Sequence, residues 1–302
     1  MASRDVILTT LHGVRFEYAE NFLLSLRRTG YQGEIVVFAS RMKGEDIASL
    51  RRSGVTIVPF RFRRILVRRR LSRLWIIWRW FFRSGASPAA KETLAHAVFH
   101  LYYRRHLLYL QFLRKHRQDF DRVFLTDCRD VYFQADPFSW NLPRGLHVFL
   151  EEGFNKIGRE IYHIRWIKSQ FGQAVLDEIG GGTVSCAGTV MGDISSIMEY
   201  LSEMVSLTMQ ARSLHETDGD QGIHNYLIYK NRLSNVTVHD NRQGPVMTCG
   251  MTRPEDIRLN AQGFVINDAG KLMPVLHQYD RLPDLSKCLL DHLRQDVRSL
   301  SQ

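Results

Sequence analysis

The first sixty residues alternate short apolar runs with amphipathic stretches. Apolar, β-branched runs at 5–10, 34–39 and 55–60 predict buried strands, and the intervening stretches 17–28 and 44–53 carry apolar residues at helical spacing. Strands that alternate with helices in this way are typical of a doubly wound α/β fold, whose sheet is mainly parallel and flanked by helices. Ligands of such folds bind beyond the carboxyl ends of the strands, so the polar residues found there are the first candidates for a site.

The same alternation continues to the end of the chain. It predicts a helix from 88 to about 117, strands at 121–125, 146–150 and 184–191, helices at 159–178, 194–212 and 221–229, and strands and loops after 231. No repeat and no low-complexity linker interrupts this order. We therefore predict a single domain over residues 1–302.

The net charge of +10 comes from one part of the chain. Residues 47–91 contain twelve Lys or Arg and no Asp or Glu, whereas the other 29 basic residues are nearly balanced by 31 acidic ones. Basicity confined to one segment predicts a local electropositive patch rather than a nucleic-acid-binding surface spread over the protein, so we expect no nucleic-acid partner.

The centre of this basic region, residues 61–83, combines nine arginines with three tryptophans. Its apolar residues fall near helical spacing. A basic, aromatic, amphipathic helix can lie in an anionic membrane interface, and the alternative is a surface helix packed on the core.

The location of the protein is predicted from cysteines and from hydropathy. The four cysteines lie far apart and show no disulfide-dense pattern, which favours a reducing compartment. The start MASRDVILTTLHG does not have the pattern of a signal peptide, and no stretch is apolar enough to span a membrane. We expect a cytoplasmic protein that is peripheral to the membrane through residues 61–83.

The motif TDCRDVYFQADPF, residues 126–138, follows the predicted strand at 121–125. It places Asp127 and Asp130 three residues apart directly beyond a buried strand. Carboxylate ligands of this kind suit Mg²⁺ or Mn²⁺ carrying a diphosphate. The alternative is an Asx turn that closes the strand.

With the preceding helix YYRRHLLYLQFL, this motif resembles the metal-dependent nucleotide-sugar glycosyltransferases of the GT-A fold. The glycogenin and galactosyltransferase-like group is the most similar, and a set with the pattern TDxRDVxFQxDPF is closer still. The resemblance extends to SCAGTVMG, DQGIHNYLIY and VLHQYDR, and it covers the chain from about Leu101 onward. The chain departs from the family's pattern in the spacing of the aspartates: the family has one residue between them, and this chain has two. That leaves open whether Asp127 contacts the metal or only the ribose, while Asp130 matches the family's second, metal-binding aspartate.

The resemblance implies a role for each motif. The implied metal ligands are Asp127, Asp130 and His277, and imidazole favours Mn²⁺ over Mg²⁺. The implied donor-binding residues are Thr9, Thr10, Arg105, Asp127 and Gly188, with Arg104 as the alternative to Arg105. The implied residues at the reaction centre are Asp220 and Gln221. For each of them the plainer interpretation is structural: a packed histidine, a solvated arginine, a bulge, or a helix cap.

The chain is thus predicted to be an enzyme, a glycosyltransferase. It would move a sugar from a nucleotide-diphosphate donor, with UDP favoured, to a glycan or lipid-linked acceptor, and retention is slightly favoured. One alternative is a nucleotidylyltransferase acting on sugar phosphates, although TTLHGVR after the first strand lacks the Gly-rich phosphate loop of such enzymes. The other is a non-catalytic membrane-surface module, which would explain only residues 61–83.

Overall fold

The computed structural model describes residues 4–61, 75–214 and 219–300, which form an α/β structure built on a seven-stranded sheet. The strands are β1 (Asp5–His12), β2 (Glu34–Ser40), β3 (Thr56–Pro59), β4 (Arg122–Thr126), β5 (Val131–Phe133), β6 (Leu146–Leu150), β7 (Ser185–Asp193), β8 (Val236–His239), β9 (Val246–Thr248), β10 (Arg258–Leu259), β11 (Val265–Ile266) and β12 (Val275–His277). The helices are α1 (Glu17–Arg28), α2 (Gly44–Arg52), α3 (Trp75–Arg83), α4 (Pro88–Val98), α5 (Leu101–Lys115), α6 (Ile161–Gln170), α7 (Gln173–Ile179), α8 (Ile194–Gln210), α9 (Asp220–Tyr229) and α10 (Pro283–Leu300).

The main sheet has the strand order β3-β2-β1-β4-β7-β6-β8. Strands β3, β2, β1 and β4 are mutually parallel, and β6 is parallel to β8. Strand β7 runs antiparallel to both of its neighbours, β4 and β6. The prediction of a mainly parallel sheet flanked by helices is therefore confirmed, and the antiparallel β7 makes the sheet mixed.

Successive residues of a strand point to opposite sides of the sheet. Both faces of this sheet are apolar, and helices cover both of them. Val6 and Leu8 of β1 pack into one apolar cluster with α5 and α8, whereas Ile7 between them packs into a second cluster with α1. These two clusters make the layers on either side of β1 and β4. They hold the carboxyl ends of β1 and β4 side by side, since Leu8 pairs with Leu125.

A second, three-stranded sheet in the order β5-β12-β9 lies at the carboxyl edge of the main sheet. Strand β5 follows β4 after a short loop and pairs antiparallel with β12, so that His277 is opposite Val131. The backbone N–H of Gln278 donates to the carbonyl of Asp130 at 2.7 Å. This pairing brings the last third of the chain to the loop that joins β4 and β5.

The helix predicted from 88 to about 117 is two helices. Phe99 and His100 are extended and separate α4 from α5. The chain has neither Gly nor Pro at the break. Phe99 is almost fully buried and its ring lies 5.9 Å from that of Phe82, so tertiary packing overrides the local helical preference.

The helix predicted at 159–178 is also divided, into α6 and α7, and here the cause is local. Gly172 adopts φ of 105°, which a helix interior cannot contain. The chain after 231 contains the predicted strands and loops, and it also contains α10, which the sequence pattern did not predict.

Of the basic segment at 61–83, residues 62–74 lie outside the described residues. The structure describes Arg61 and helix α3 of this segment. No helix of the described chain is both long and apolar enough to cross a membrane.

Candidate metal centre

Three residues from distant parts of the chain form a cluster that could hold a metal ion. Asp127, Asp130 and His277 each present one ligand atom, and these atoms lie within 4.8 Å of one another. His277 Nε2 is 3.7 Å from Asp127 Oδ2 and 3.9 Å from Asp130 Oδ1. Atoms bound to one Mg²⁺-sized ion at about 2.1 Å are at most about 4.2 Å apart, so both distances suit a shared ion.

The positions of the two aspartates follow from the strands around them. Asp127 begins the loop after β4, and its N–H donates to the Gly188 carbonyl on β7 at 2.8 Å. Asp130 ends that loop, directly before β5. Because β5 pairs with β12, His277 arrives next to Asp130. The three-residue spacing between the aspartates therefore places them at the two ends of the four-residue loop, 127–130, that joins the two sheets.

The chemistry of the donor set also fits a cation. His277 is fully buried, and its Nε2 atom has no hydrogen-bond partner among the described residues. A buried polar nitrogen left unpaired is costly unless a ligand completes it. Two carboxylate oxygens and one imidazole nitrogen are ligands that divalent metal ions take in proteins.

Gly188 leaves the space that such an ion needs. A Cβ built on Gly188 would lie 2.5 Å from Asp127 Oδ2 and 2.8 Å from His277 Nε2, the same atoms that define the cluster. The pairing of β6 with β7 shifts between Val148 and Leu150, opposite this stretch of β7. Such an irregularity re-aims the strand locally and is common beside functional sites.

Arg105, on α5, lies between Asp127 of the metal cluster and Asp220 of α9. Its Nη1 donates to Asp127 Oδ1 at 2.6 Å, and its Nη2 donates to Asp220 Oδ2 at 2.8 Å. Arg104, the alternative predicted from the sequence, instead donates to the Arg61 carbonyl at 3.1 Å. Arg105 is thus the arginine of the site, and its guanidinium holds two carboxylates. Its role toward a donor phosphate stays a prediction.

The charges of the cluster act on one another. Burial opposes ionisation of Asp127, but the Arg105 guanidinium and His277 hold the pKa of that carboxyl well below its usual range. Burial raises the pKa of Asp130, and the Asp127 charge raises it further against the opposing effect of His277. A divalent cation would relieve this repulsion between the two aspartates.

Asp220 and Gln221 begin α9 and reach the same edge of the sheet. Asp220 is buried and ion-paired with Arg105. The Gln221 amide bridges the start of β7: its Oε1 accepts from the Ala187 N–H at 2.7 Å, and its Nε2 donates to the Ser185 carbonyl at 2.8 Å. Both residues contact the structure that holds the metal cluster, and their assignment to the reaction centre stays a prediction.

Thr9 and Thr10 lie at the carboxyl end of β1, next to the end of β4. The Thr9 side chain is fully buried in the sheet. The Thr10 hydroxyl shares a hydrogen bond of 2.7 Å with the Tyr109 hydroxyl of α5. The structure therefore places both threonines near the site, one inside the core and one at its margin. Nucleotide binding by them stays a prediction.

Sequence reasoning assigned no role to two further residues of the site. Arg129, inside the aspartate motif, lies 3.6 Å from Asp130 and 3.5 Å from Asp280, and more than half of its side chain is exposed. Cys186 lies 3.6 Å from His277 Nδ1. The position of Arg129 between the aspartates was a signal that could have found it, whereas a lone cysteine in a strand offered none.

Neither the family models nor the curated proteins compared with this chain match it.

Proposed function

We propose that the protein is a glycosyltransferase of the GT-A fold that uses a nucleotide-diphosphate sugar, with UDP favoured, and a divalent metal, Mn²⁺ or Mg²⁺. The observation that carries the proposal is the Asp127–Asp130–His277 cluster beyond the carboxyl end of β4, where α/β folds bind ligands. The sequence resemblance adds the donor class. The acceptor would be a glycan or a lipid-linked glycan.

Metal bound there would neutralise the negative charge that develops on the diphosphate as the sugar departs. The protein's own part is to hold two acidic ligands and one imidazole at one point. Arg105 fixes Asp127 through Oδ1, which leaves Oδ2 directed at the cluster. Gly188 keeps the space above the ligands open.

The diphosphate would lie against the exposed side of this cluster. Arg129 is an exposed cation beside the cluster, 3.6 Å from Asp130 and 3.5 Å from Asp280. A guanidinium in that position can exchange a carboxylate for a phosphate, because both present the same paired oxygens. Retention at the anomeric carbon is slightly favoured. Asp220 and Gln221 would face the donor sugar at the reaction centre.

The test is release of UDP from a panel of UDP-sugars with Mn²⁺, and its loss on chelation. Asp130→Ala and His277→Ala are each expected to weaken Mn²⁺ binding by about 10- to 100-fold or more and to abolish turnover. Asp119 and His116 offer matched controls, because they share a hydrogen bond of 2.8 Å just after α5, away from the cluster. Asp119→Ala and His116→Ala should keep wild-type binding.

Three outcomes separate the alternatives. Release of pyrophosphate from a nucleoside triphosphate and a sugar phosphate, without UDP-sugar turnover, would identify a nucleotidylyltransferase. Wild-type Mn²⁺ binding in both ligand variants would overturn the metal assignment. Tight vesicle binding without any turnover would favour a membrane-surface module.

A further inference from the structure

We propose that Cys186 is a positioning residue for the metal centre: its sulfur accepts a hydrogen bond from His277 Nδ1 and thereby directs Nε2 to the metal. The inference rests on the proposed metal site and adds to it a residue outside the ligand set. It is carried by the geometry of the two ring nitrogens of His277.

The two nitrogens face different surroundings. Nε2 faces the carboxylates of Asp127 and Asp130 and has no hydrogen-bond partner among the described residues. Nδ1 lies 3.6 Å from Cys186 Sγ, within the range of a hydrogen bond to sulfur. A neutral imidazole carries its proton on one nitrogen only. A metal on Nε2 therefore requires the proton on Nδ1, where Cys186 is the acceptor.

The ring is held in this orientation from two sides. His277 ends β12 and is fully buried, and the Gly188 backbone lies close to the ring, since a Cβ built there would be 2.6 Å from Cε1. Cys186 belongs to β7 of the main sheet, whereas His277 belongs to the second sheet. Their contact therefore fixes the imidazole relative to the strand that supports Asp127.

Cys186 is suited to accept rather than to ligate. Its sulfur is buried in β7, within hydrogen-bond distance of Nδ1. It also lies on the Nδ1 side of the ring, away from the carboxylates. Metal-binding histidines commonly donate their second N–H to a carboxylate, a backbone carbonyl or water, and loss of that partner costs about 10- to 100-fold in metal affinity. Here the Cys186 sulfur would take the partner's place.

The test compares Cys186→Ala with Cys186→Ser in Mn²⁺ titrations. Both variants lose the sulfur, but only Cys186→Ser keeps an oxygen that can accept a hydrogen bond from His277 Nδ1. We expect Cys186→Ala to bind Mn²⁺ at least tenfold more weakly, and Cys186→Ser to recover to within about threefold of wild type. Cys249→Ala is the matched control: Cys249 is also buried, and its sulfur contacts the Met247 carbonyl rather than His277.

The results that would overturn the proposal are distinct. Equal affinity in wild type and Cys186→Ala, or equal loss in Cys186→Ala and Cys186→Ser, would show that Sγ does not orient His277. A thiolate-to-cobalt charge-transfer band in the Co²⁺-loaded wild-type protein would make Cys186 a ligand instead. Absence of Mn²⁺ binding by the wild type would overturn the metal site and this inference together. Unfolding of each variant without metal checks that any loss of affinity is not a loss of fold.

Discussion

Gly188 illustrates how much of the candidate site depends on a single position. Its missing side chain leaves the volume between Asp127 and His277 that an ion would occupy. Neither neighbour can retreat easily, since His277 is fully buried and Asp127 is ion-paired to Arg105. The space within the candidate metal cluster therefore depends on the absence of a side chain at position 188.

We therefore expect Gly188→Ala to lower Mn²⁺ affinity by at least tenfold, because the new methyl group would overlap the ligand atoms. Isothermal titration with Mn²⁺ measures the effect. Gly181→Ala is the control, since a Cβ there meets no atom within 4 Å. Normal affinity in Gly188→Ala would show that the ion binds elsewhere.

His224 is a residue whose protonation state the fold decides. It is fully buried, with Ser185 Oγ 2.9 Å from Nε2 and Tyr200 Oη 2.9 Å from Nδ1. Burial, together with the charge of Arg105, lowers the pKa of His224 to about 3. The folded protein therefore keeps this histidine neutral where the unfolded chain protonates it.

The sign of the pH effect follows. Below about pH 6.5 the unfolded state binds a proton at this histidine and the folded state does not, so stability falls as the pH falls toward 3. The slope approaches about 1.4 kcal/mol per pH unit for one histidine. His224→Asn removes this contribution, so the difference in unfolding free energy between wild type and variant should shrink between pH 7 and pH 5. Urea unfolding at both pH values measures it, and a constant difference would contradict the assignment.

At the scale of elements, α3 is the described end of the basic segment at 61–83, and its two sides differ. Trp75 is buried, and its indole N–H donates to the Ala211 carbonyl at 3.0 Å. Ile77 is 57% exposed and Trp80 is 78% exposed. The helix thus packs through one side and presents large apolar side chains on the other, as an interfacial helix does.

We expect the protein to sediment with vesicles that contain anionic lipid, and binding to weaken steeply with salt. Each Arg near such a surface contributes about 1 kcal/mol, screened within a Debye length. Charge reversal at Arg68, Arg69 and Arg70 should release the protein while UDP release on a soluble acceptor continues.

Reversal of Lys43, Arg258 and Arg294 is the matched control, because their side chains are 73%, 61% and 70% exposed outside the segment. The competing interpretation is that the arginines at 68–70 close over the donor diphosphate. The triple variant would then bind vesicles normally but lose affinity for the donor.

At the scale of the whole molecule, the candidate site connects elements that are far apart in the chain. The metal cluster joins the β4–β5 loop to β12, and Arg105 adds α5 and α9. A ligand that bridges such elements binds only the folded protein. Binding should therefore raise the stability of the whole fold.

We predict that a UDP-sugar raises the melting temperature only when Mn²⁺ is present, because the metal carries the diphosphate. A ligand at a hundredfold excess over its Kd stabilises the folded state by about 2.7 kcal/mol. Thermal shift with a panel of nucleotide sugars measures this and also ranks the donors. Asp130→Ala should abolish the shift, and an undiminished shift in that variant would place the donor away from the metal.

The sequence by itself determined the order of strands and helices in the first sixty residues, the mainly parallel sheet, and the polar residues that follow β4. It did so because burial on one face imposes a period that can be seen along the chain. It also singled out Asp127 and Asp130, since two carboxylates after a buried strand are conspicuous.

Only the tertiary structure decided which of these residues meet. Arg105 reaches Asp220 across 115 residues, and Cys186 reaches His277 across 91. The break at Phe99 has the same origin, because it depends on a ring packed from another helix. Local periodicity indicates that an element is buried, but it does not indicate which other element covers it. Contacts between distant elements therefore depend on how the sheets and helices pack together.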